Sequence, residues 1–168
     1  MTQNNCVVRC TAEGSIIDIN PIELHHLIQD ADKHINSMHD VGQRAAYYQR
    51  LATLCETSGN DGQAIGLLRK ALALYCRHDI IDCTQHYGQA AKSCARHIDH
   101  LRRRAFGNDH SFSMLSDVIA FYDELYWMRL LDEKPEVWDI YCAEGKIHKL
   151  DHNQWLLLVR QLTMDAVG

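Results

Sequence analysis

Proline occurs only twice in this chain of 168 residues, as Pro21 and Pro135, and both stand where a helix could begin. Inside a helix, proline removes a hydrogen bond and clashes with the preceding turn, so its scarcity leaves long stretches free to be helical. Through those stretches apolar residues recur at helical spacing. The chain is therefore predicted to be all-α, with about seven helices in antiparallel pairs, because the loops between them are short.

Capping residues indicate where these helices begin. Asn20 followed by Pro21 is typical of a helix start, and Asp61 and Asp151 are expected to cap two later helices. Gly88 lies inside the longest predicted helix, where an interruption is left open. The predicted helices cover residues 21–38, 41–57, 61–75, 80–106, 111–131, 135–142 and 151–162.

The first twenty residues differ from the rest. CVVRC and SIIDI are short runs typical of strands, and TAEG between them is a candidate turn. These runs predict either a short β-hairpin or a loosely attached arm over 1–20. Residues 21–168 are predicted to form a single helical domain, long enough to bury a core without disulfides or metals.

Seven cysteines, an odd number, argue against a disulfide framework in a chain whose N-terminus lacks the form of a secretion signal. We therefore expect reduced thiols and a cytoplasmic location. No run approaches the roughly 18 apolar residues that a membrane span needs.

Charge is unevenly distributed along the chain. Residues 41–104 carry ten basic and five acidic side chains, although the net charge is −5. A basic patch that could contact phosphates consists of Lys92, Arg96, Arg102, Arg103 and Arg104. The same cations suit the last turn of a helix, and the acidic remainder of the chain favours that interpretation or an acidic protein partner. Nucleic-acid binding is thus the less favoured alternative.

Residues 45–76 resemble a single tetratricopeptide repeat, a helix pair with a 34-residue period. Cys55 stands where that family prefers an aromatic residue, and Cys76 replaces its closing proline. The resemblance covers about a fifth of the chain and implies an α-solenoid of such pairs. The alternative is an unrelated, compact helical bundle whose alanine-rich pairing mimics the motif. The matching positions are Tyr48, Leu51, Ala52, Ala64, Leu68 and Ala71.

The resemblance also implies a groove lined by the polar face of the helix over 45–57. We expect a partner segment there rather than a terminal carboxylate, because the Lys and Asn that clamp such a group are missing. The alternative is an ordinary solvated face. The four candidate residues are Gln49, Arg50, Thr53 and Glu56.

Tyr126 and Trp127 are a second candidate for partner binding. They lie on two faces of one predicted helix, and both faces cannot be buried in a thin solenoid. One of the two is expected at an interface with a partner or with a second copy of the chain, because large aromatic residues are favoured there.

No enzymatic signature is found. Cys83-x-x-His86 and Cys94-x-x-His97 share a helix face, but their separation of about 16 Å is too great for one zinc ion. Neither a nucleophile elbow nor a phosphate-binding loop occurs. The sequence therefore predicts a protein-interaction module, acting as an adaptor, chaperone or regulator, without catalytic residues, metal or cofactor. A metal-binding helical-bundle enzyme stays a further alternative.

Overall fold

The computed structural model describes residues 7–10, 16–107, 113–136 and 151–166. In this part of the chain the fold is helical apart from two four-residue strands, which confirms the predicted all-α class. The helices are α1 (Pro21–Gln29), α2 (Ala31–Ile35), α3 (Val41–Thr57), α4 (Asp61–Asp82), α5 (Gly88–Phe106), α6 (Met114–Glu133) and α7 (His152–Thr163). No described helix is long and apolar enough to span a membrane.

The two strands form an antiparallel hairpin, one of the two arrangements that the sequence left open for this region. Strand β1 (Val7–Cys10) pairs with β2 (Ile16–Ile19), so that Val7 is opposite Ile19. Strand β1 lies against α3.

Several helix starts follow the expected caps, and others are shifted. The side chains of Asn20 and Asp151 accept hydrogen bonds from backbone amides three residues later, as predicted. The expected cap at Asp61 was wrong by one residue, because Asn60 accepts the hydrogen bond from the Gln63 amide at 3.1 Å. A short polar side chain just before the first helical residue suits this role, because its oxygen can accept a hydrogen bond from the amide three residues later.

Some predicted helix boundaries differ from the structure, and one predicted helix lies largely outside the described residues. The first helix is interrupted at Asp30, which divides it into α1 and α2. The predicted helix over 80–106 begins too early, because α4 continues to Asp82; the interruption left open near Gly88 is confirmed, since α5 begins at that residue. The predicted helix over 135–142 lies outside the described residues except for 135–136, which form a turn.

Helix α4 is the centre of the core. The six consecutive residues from Ala71 to Cys76 are all buried, so this helix has no solvent face along that stretch. Helices α3, α5 and α7 all pack against it, and α6 packs against α5 and α7. The described helices thus form a compact bundle around α4 rather than a thin layer of pairs.

Small side chains bring α3 and α4 close together. Ala45, Ala52 and Ala64 are fully buried, and so are the larger Tyr48 and Leu68. Alanines permit close approach of two helix axes while the larger residues fill the spaces between them. The loop between α3 and α4 is only three residues long, which makes the two helices antiparallel.

Candidate functional site

Two neighbouring cavities lie where the α4–α5 connection meets α6, and both are lined by Gln85 and Tyr126. The first has a volume of about 300 Å³ and the second of about 230 Å³. We call them together the α5–α6 groove. Other lining residues of the first cavity include Cys83, Leu125, Arg129, Leu130 and Glu133, and those of the second Gly88, Gln89, Lys92, Tyr122 and Asp123.

The groove exists because α6 is longer than the part of α5 beside it. Gly88, the first residue of α5, packs against the ring of Tyr122. The Gln85 side-chain amide donates a hydrogen bond to the Tyr122 carbonyl oxygen at 3.2 Å. Because the two helices are antiparallel, the turns of α6 beyond Tyr122 continue past the start of α5. Tyr126 therefore lies where the α4–α5 connection meets the first turns of α5.

A buried carboxylate fixes this connection. Asp79 is completely buried and accepts hydrogen bonds from Thr84 Oγ1 at 3.0 Å, from the Tyr87 amide at 2.9 Å and from Tyr122 Oη at 2.6 Å. Burial raises the pKa of Tyr122, which therefore stays a neutral hydrogen-bond donor. Cys83, between these partners, adopts the left-handed conformation with φ of 54°. One side chain thus holds α4, the connection and α6 together.

Tyr126 is the exposed member of the predicted aromatic pair. Its side chain is 48% exposed, whereas Trp127 is only partly exposed and its ring centroid lies 5.3 Å from that of Tyr126. A half-exposed aromatic side chain at the junction of two cavities can cover an apolar group and still reach water through its hydroxyl.

The five cations of the predicted basic patch do not all lie on the same face of α5. Successive helical residues are rotated by about 100°, so Lys92, Arg96 and Arg103 fall within about 40° of one another on α5. Arg102 and Arg104 are each rotated about 100° away from Arg103. The Arg104 guanidinium lies 2.6 Å from Asp61 Oδ1. Three of the five cations therefore share one face, which begins at the groove with Lys92.

Two of the four residues predicted to bind a partner on α3, Gln49 and Glu56, contact other helices of the same chain. Gln49 Oε1 accepts a hydrogen bond from the Tyr75 hydroxyl at 2.8 Å. Glu56 contacts His97 Nε2 at 2.6 Å and the Arg104 guanidinium at 3.3 Å. These contacts link α3 to α4 and to α5.

The remaining two residues of that predicted site, Arg50 and Thr53, are exposed. The Thr53 hydroxyl donates a hydrogen bond to the Gln49 carbonyl oxygen at 3.1 Å. Arg50 and Thr53 are therefore the two of the four with exposed side chains, whereas Gln49 and Glu56 are partly exposed and bonded to other helices.

The three buried thiols of the described residues offer little chemistry. Cys55, Cys76 and Cys94 are free and buried, and burial raises the pKa of Cys55 to about 11 and that of Cys94 to about 12. Neutral, buried thiols are poor nucleophiles and poor metal ligands. Among the described residues, no group of three or more His, Cys, Asp or Glu side chains could hold a metal ion.

Comparison of the chain with known protein families, with curated proteins and with solved structures gives no match. The site is therefore interpreted from its geometry. Sequence reasoning found Tyr126 and Lys92 but missed Gln85, Asp123 and the role of Asp79. The one available signal was Gly88, which marks the end of the connection, since glycine often punctuates a helical pattern.

Proposed function

We propose that this protein binds a segment of another protein in the α5–α6 groove and acts as an adaptor, chaperone or regulator. The observation that carries the proposal is Tyr126, a half-exposed aromatic residue shared by two adjoining cavities. Such side chains are typical anchors of protein interfaces, because they bury a large area at a low cost in conformational entropy.

The resemblance to a tetratricopeptide repeat supports the same class of function. The close antiparallel pairing of α3 and α4 is compatible with a repeat of this kind, whereas the packing of α7 on α4 is unlike an open solenoid. We therefore assign the partner site to α5 and α6 instead of α3. Free cysteines among the described residues also fit a cytoplasmic location.

Nucleic-acid binding has less support. Arg104, one of the five candidate cations, is paired with Asp61 and Glu56, and Arg102 does not share the face of the others. A short row of three cations would give weak, salt-dependent binding to a duplex. A metal-dependent enzyme has no ligand cluster in the described part of the chain to support it.

The test compares partners of three proteins purified from the native host: wild type, Tyr126→Ala and Met128→Ala. Met128 is a matched control, because it is 41% exposed on the same helix but rotated about 200° from Tyr126. We expect a stoichiometric partner to be retained by wild type and Met128→Ala and lost by Tyr126→Ala, with unchanged thermal unfolding of all three.

A fourth variant, Arg50→Ala with Thr53→Ala, separates the two candidate surfaces. If the partner is lost from this variant and retained by Tyr126→Ala, the binding site lies on α3 and the groove proposal is wrong. Co-purification of nucleic acid in place of protein would favour the alternative function.

A further inference from the structure

We propose that the segment bound in the α5–α6 groove is acidic and carries one large apolar side chain at one end of its acidic run. This inference rests on the proposed function and adds the chemistry of the partner. It follows from the order of apolar, polar and basic surfaces along α5 and α6.

The apolar end of the surface is the cavity beside the α4–α5 connection. Leu125 is buried at its base, Leu130 is half-buried, and Tyr126 forms the wall toward the second cavity. A volume of about 300 Å³ is enough for the side chain of a leucine or phenylalanine. The charged groups at the rim, Arg129 and Glu133, are paired with each other at 3.0 Å and so favour no particular charge in the guest.

The basic end is the row formed by Lys92, Arg96 and Arg103. Lys92 lines the second cavity, and the row extends about 16 Å from it along α5. Arg96 and Arg103 are exposed, and neither they nor Lys92 form an ion pair with a carboxylate of the described residues. By contrast, Lys70 and Arg104 are both paired with carboxylates.

Among the described residues, Asp99 and Asp123 lie near this row and must be weighed against it, and Asp117 of α6 lies near Asp99 and accepts a hydrogen bond from Gln161 at 3.3 Å. Asp99 is on the same side of α5, but it accepts hydrogen bonds from the amides of Met114 at 2.8 Å and Leu115 at 3.0 Å. It therefore faces the positive end of the α6 dipole, which offsets its charge. Asp123 lines the second cavity opposite Lys92. Beyond the cavity, Arg96 and Arg103 are the exposed charged side chains on this face of α5.

The dimensions fit a short segment. An extended chain rises about 3.3 Å per residue, so about five residues cover the distance from Lys92 to Arg103. An apolar anchor in the first cavity therefore places the following acidic side chains along the row. Complementary charge at such a rim chiefly gives specificity and a faster association rate.

The experiment uses three synthetic peptides of about fifteen residues with the same Leu-Phe anchor, followed by Glu-rich, Gln-rich or Lys-rich sequence. Binding to the full-length protein is measured by fluorescence anisotropy. We expect the Glu-rich peptide to bind about tenfold more tightly than the Gln-rich one, and the Lys-rich peptide to bind most weakly, since several exposed ion pairs contribute modestly each.

Variants of the protein distinguish the contribution of the basic row from that of the apolar cavity. Arg96→Glu with Arg103→Glu should remove the preference for the Glu-rich peptide and leave the affinity for the Gln-rich peptide unchanged. Tyr126→Ala should weaken both. The matched control, Lys33→Glu with Arg160→Glu, makes the same change of net charge at exposed positions on α2 and α7 and should retain the preference.

The outcomes are distinguishable. If all three peptides bind equally and Tyr126→Ala weakens them all, the acidic partner is wrong and the groove stands. If none of the peptides binds, both the acidic partner and the groove are rejected. If the Arg96 and Arg103 substitutions abolish binding to a DNA duplex but no peptide binds, the row serves nucleic acid.

Discussion

The two helix pairs α3–α4 and α5–α6 use their polar residues in opposite ways. On α3, Gln49 and Glu56 bond to neighbouring helices and hold the bundle together. On α5, Lys92 and Arg96 pair with no described carboxylate, and Tyr126 on α6 stays half exposed. A polar helix face therefore becomes a candidate binding surface only where the rest of the fold leaves its groups without internal partners.

The size of the contact residues explains the contrast. Helices α3 and α4 meet over alanines such as Ala45 and Ala52, which are fully buried and leave no space between the helices. Helices α5 and α6 meet at the ring of Tyr122, and α6 then continues beyond Gly88. Close packing makes α3 and α4 a support, whereas α5 and α6 are offset along their axes, and the part of α6 beyond Gly88 leaves a groove.

The largest expected effect comes from the carboxylate that joins the two pairs. Asp79→Ala leaves the Tyr122 hydroxyl and the Tyr87 amide without their buried acceptor, so we expect the free energy of unfolding to fall by about 3–5 kcal/mol. Urea denaturation followed by circular dichroism measures it. Asp82→Ala, on the same helix with a largely exposed side chain, should cost less than about 1 kcal/mol. Equal losses would show that Asp79 does not hold the connection.

A smaller effect is expected from added volume. Ala52→Leu inserts three carbon atoms at a fully buried position on α3 and should lower the free energy of unfolding by about 1–3 kcal/mol. Ala120→Leu, at a half-buried position on α6, should cost less than about 1 kcal/mol. Thermal or urea unfolding of both variants compares the packing of the two pairs. If Ala52→Leu is tolerated as well as Ala120→Leu, the first pair is not the tightly packed one.

The smallest effect concerns a polar contact that ties α2 to the first pair. Burial raises the pKa of Asp32, but hydrogen bonds from Tyr48 and Lys70 outweigh it and leave this pKa below its ordinary value of 3.8. Because the pKa is lower in the folded state, the stabilisation is present above about pH 4 and is lost as the pH falls through the folded-state pKa.

The corresponding measurement is the free energy of unfolding between about pH 5 and pH 3. Asp32→Asn should show a smaller decline over this range than wild type, and Lys70→Met should reduce the decline in part. An identical decline in wild type and Asp32→Asn would show that other carboxylates account for the acid sensitivity.

Local signals in the sequence were sufficient to predict most of the described helices. The caps at Asn20 and Asp151 need only a side chain and an amide three residues later, and both predictions were confirmed. The end of α4 could not be predicted this way. It depends on Asp79 bonding to Thr84 and Tyr122, and Tyr122 is 43 residues further along the chain.

The candidate site was predictable only in its separate residues. Tyr126 and Lys92 stood out by residue type, but their common cavity depends on how far α6 extends beyond α5. Two effects separate the cations of the predicted basic patch. Helical rotation alone separates Arg103 from Arg104, whereas the pairing of Arg104 with Asp61 depends on the packing of α5 against α4.

The hydrogen bond from Tyr122 to Asp79 has a consequence for recognition. The same carboxylate that ends α4 also orients the tyrosine at the floor of the groove, and Gln85 is fixed to the backbone of that tyrosine. Under the proposed function, this surface is preorganised and would lose little freedom on binding, so the entropic cost of association would fall mainly on the bound segment.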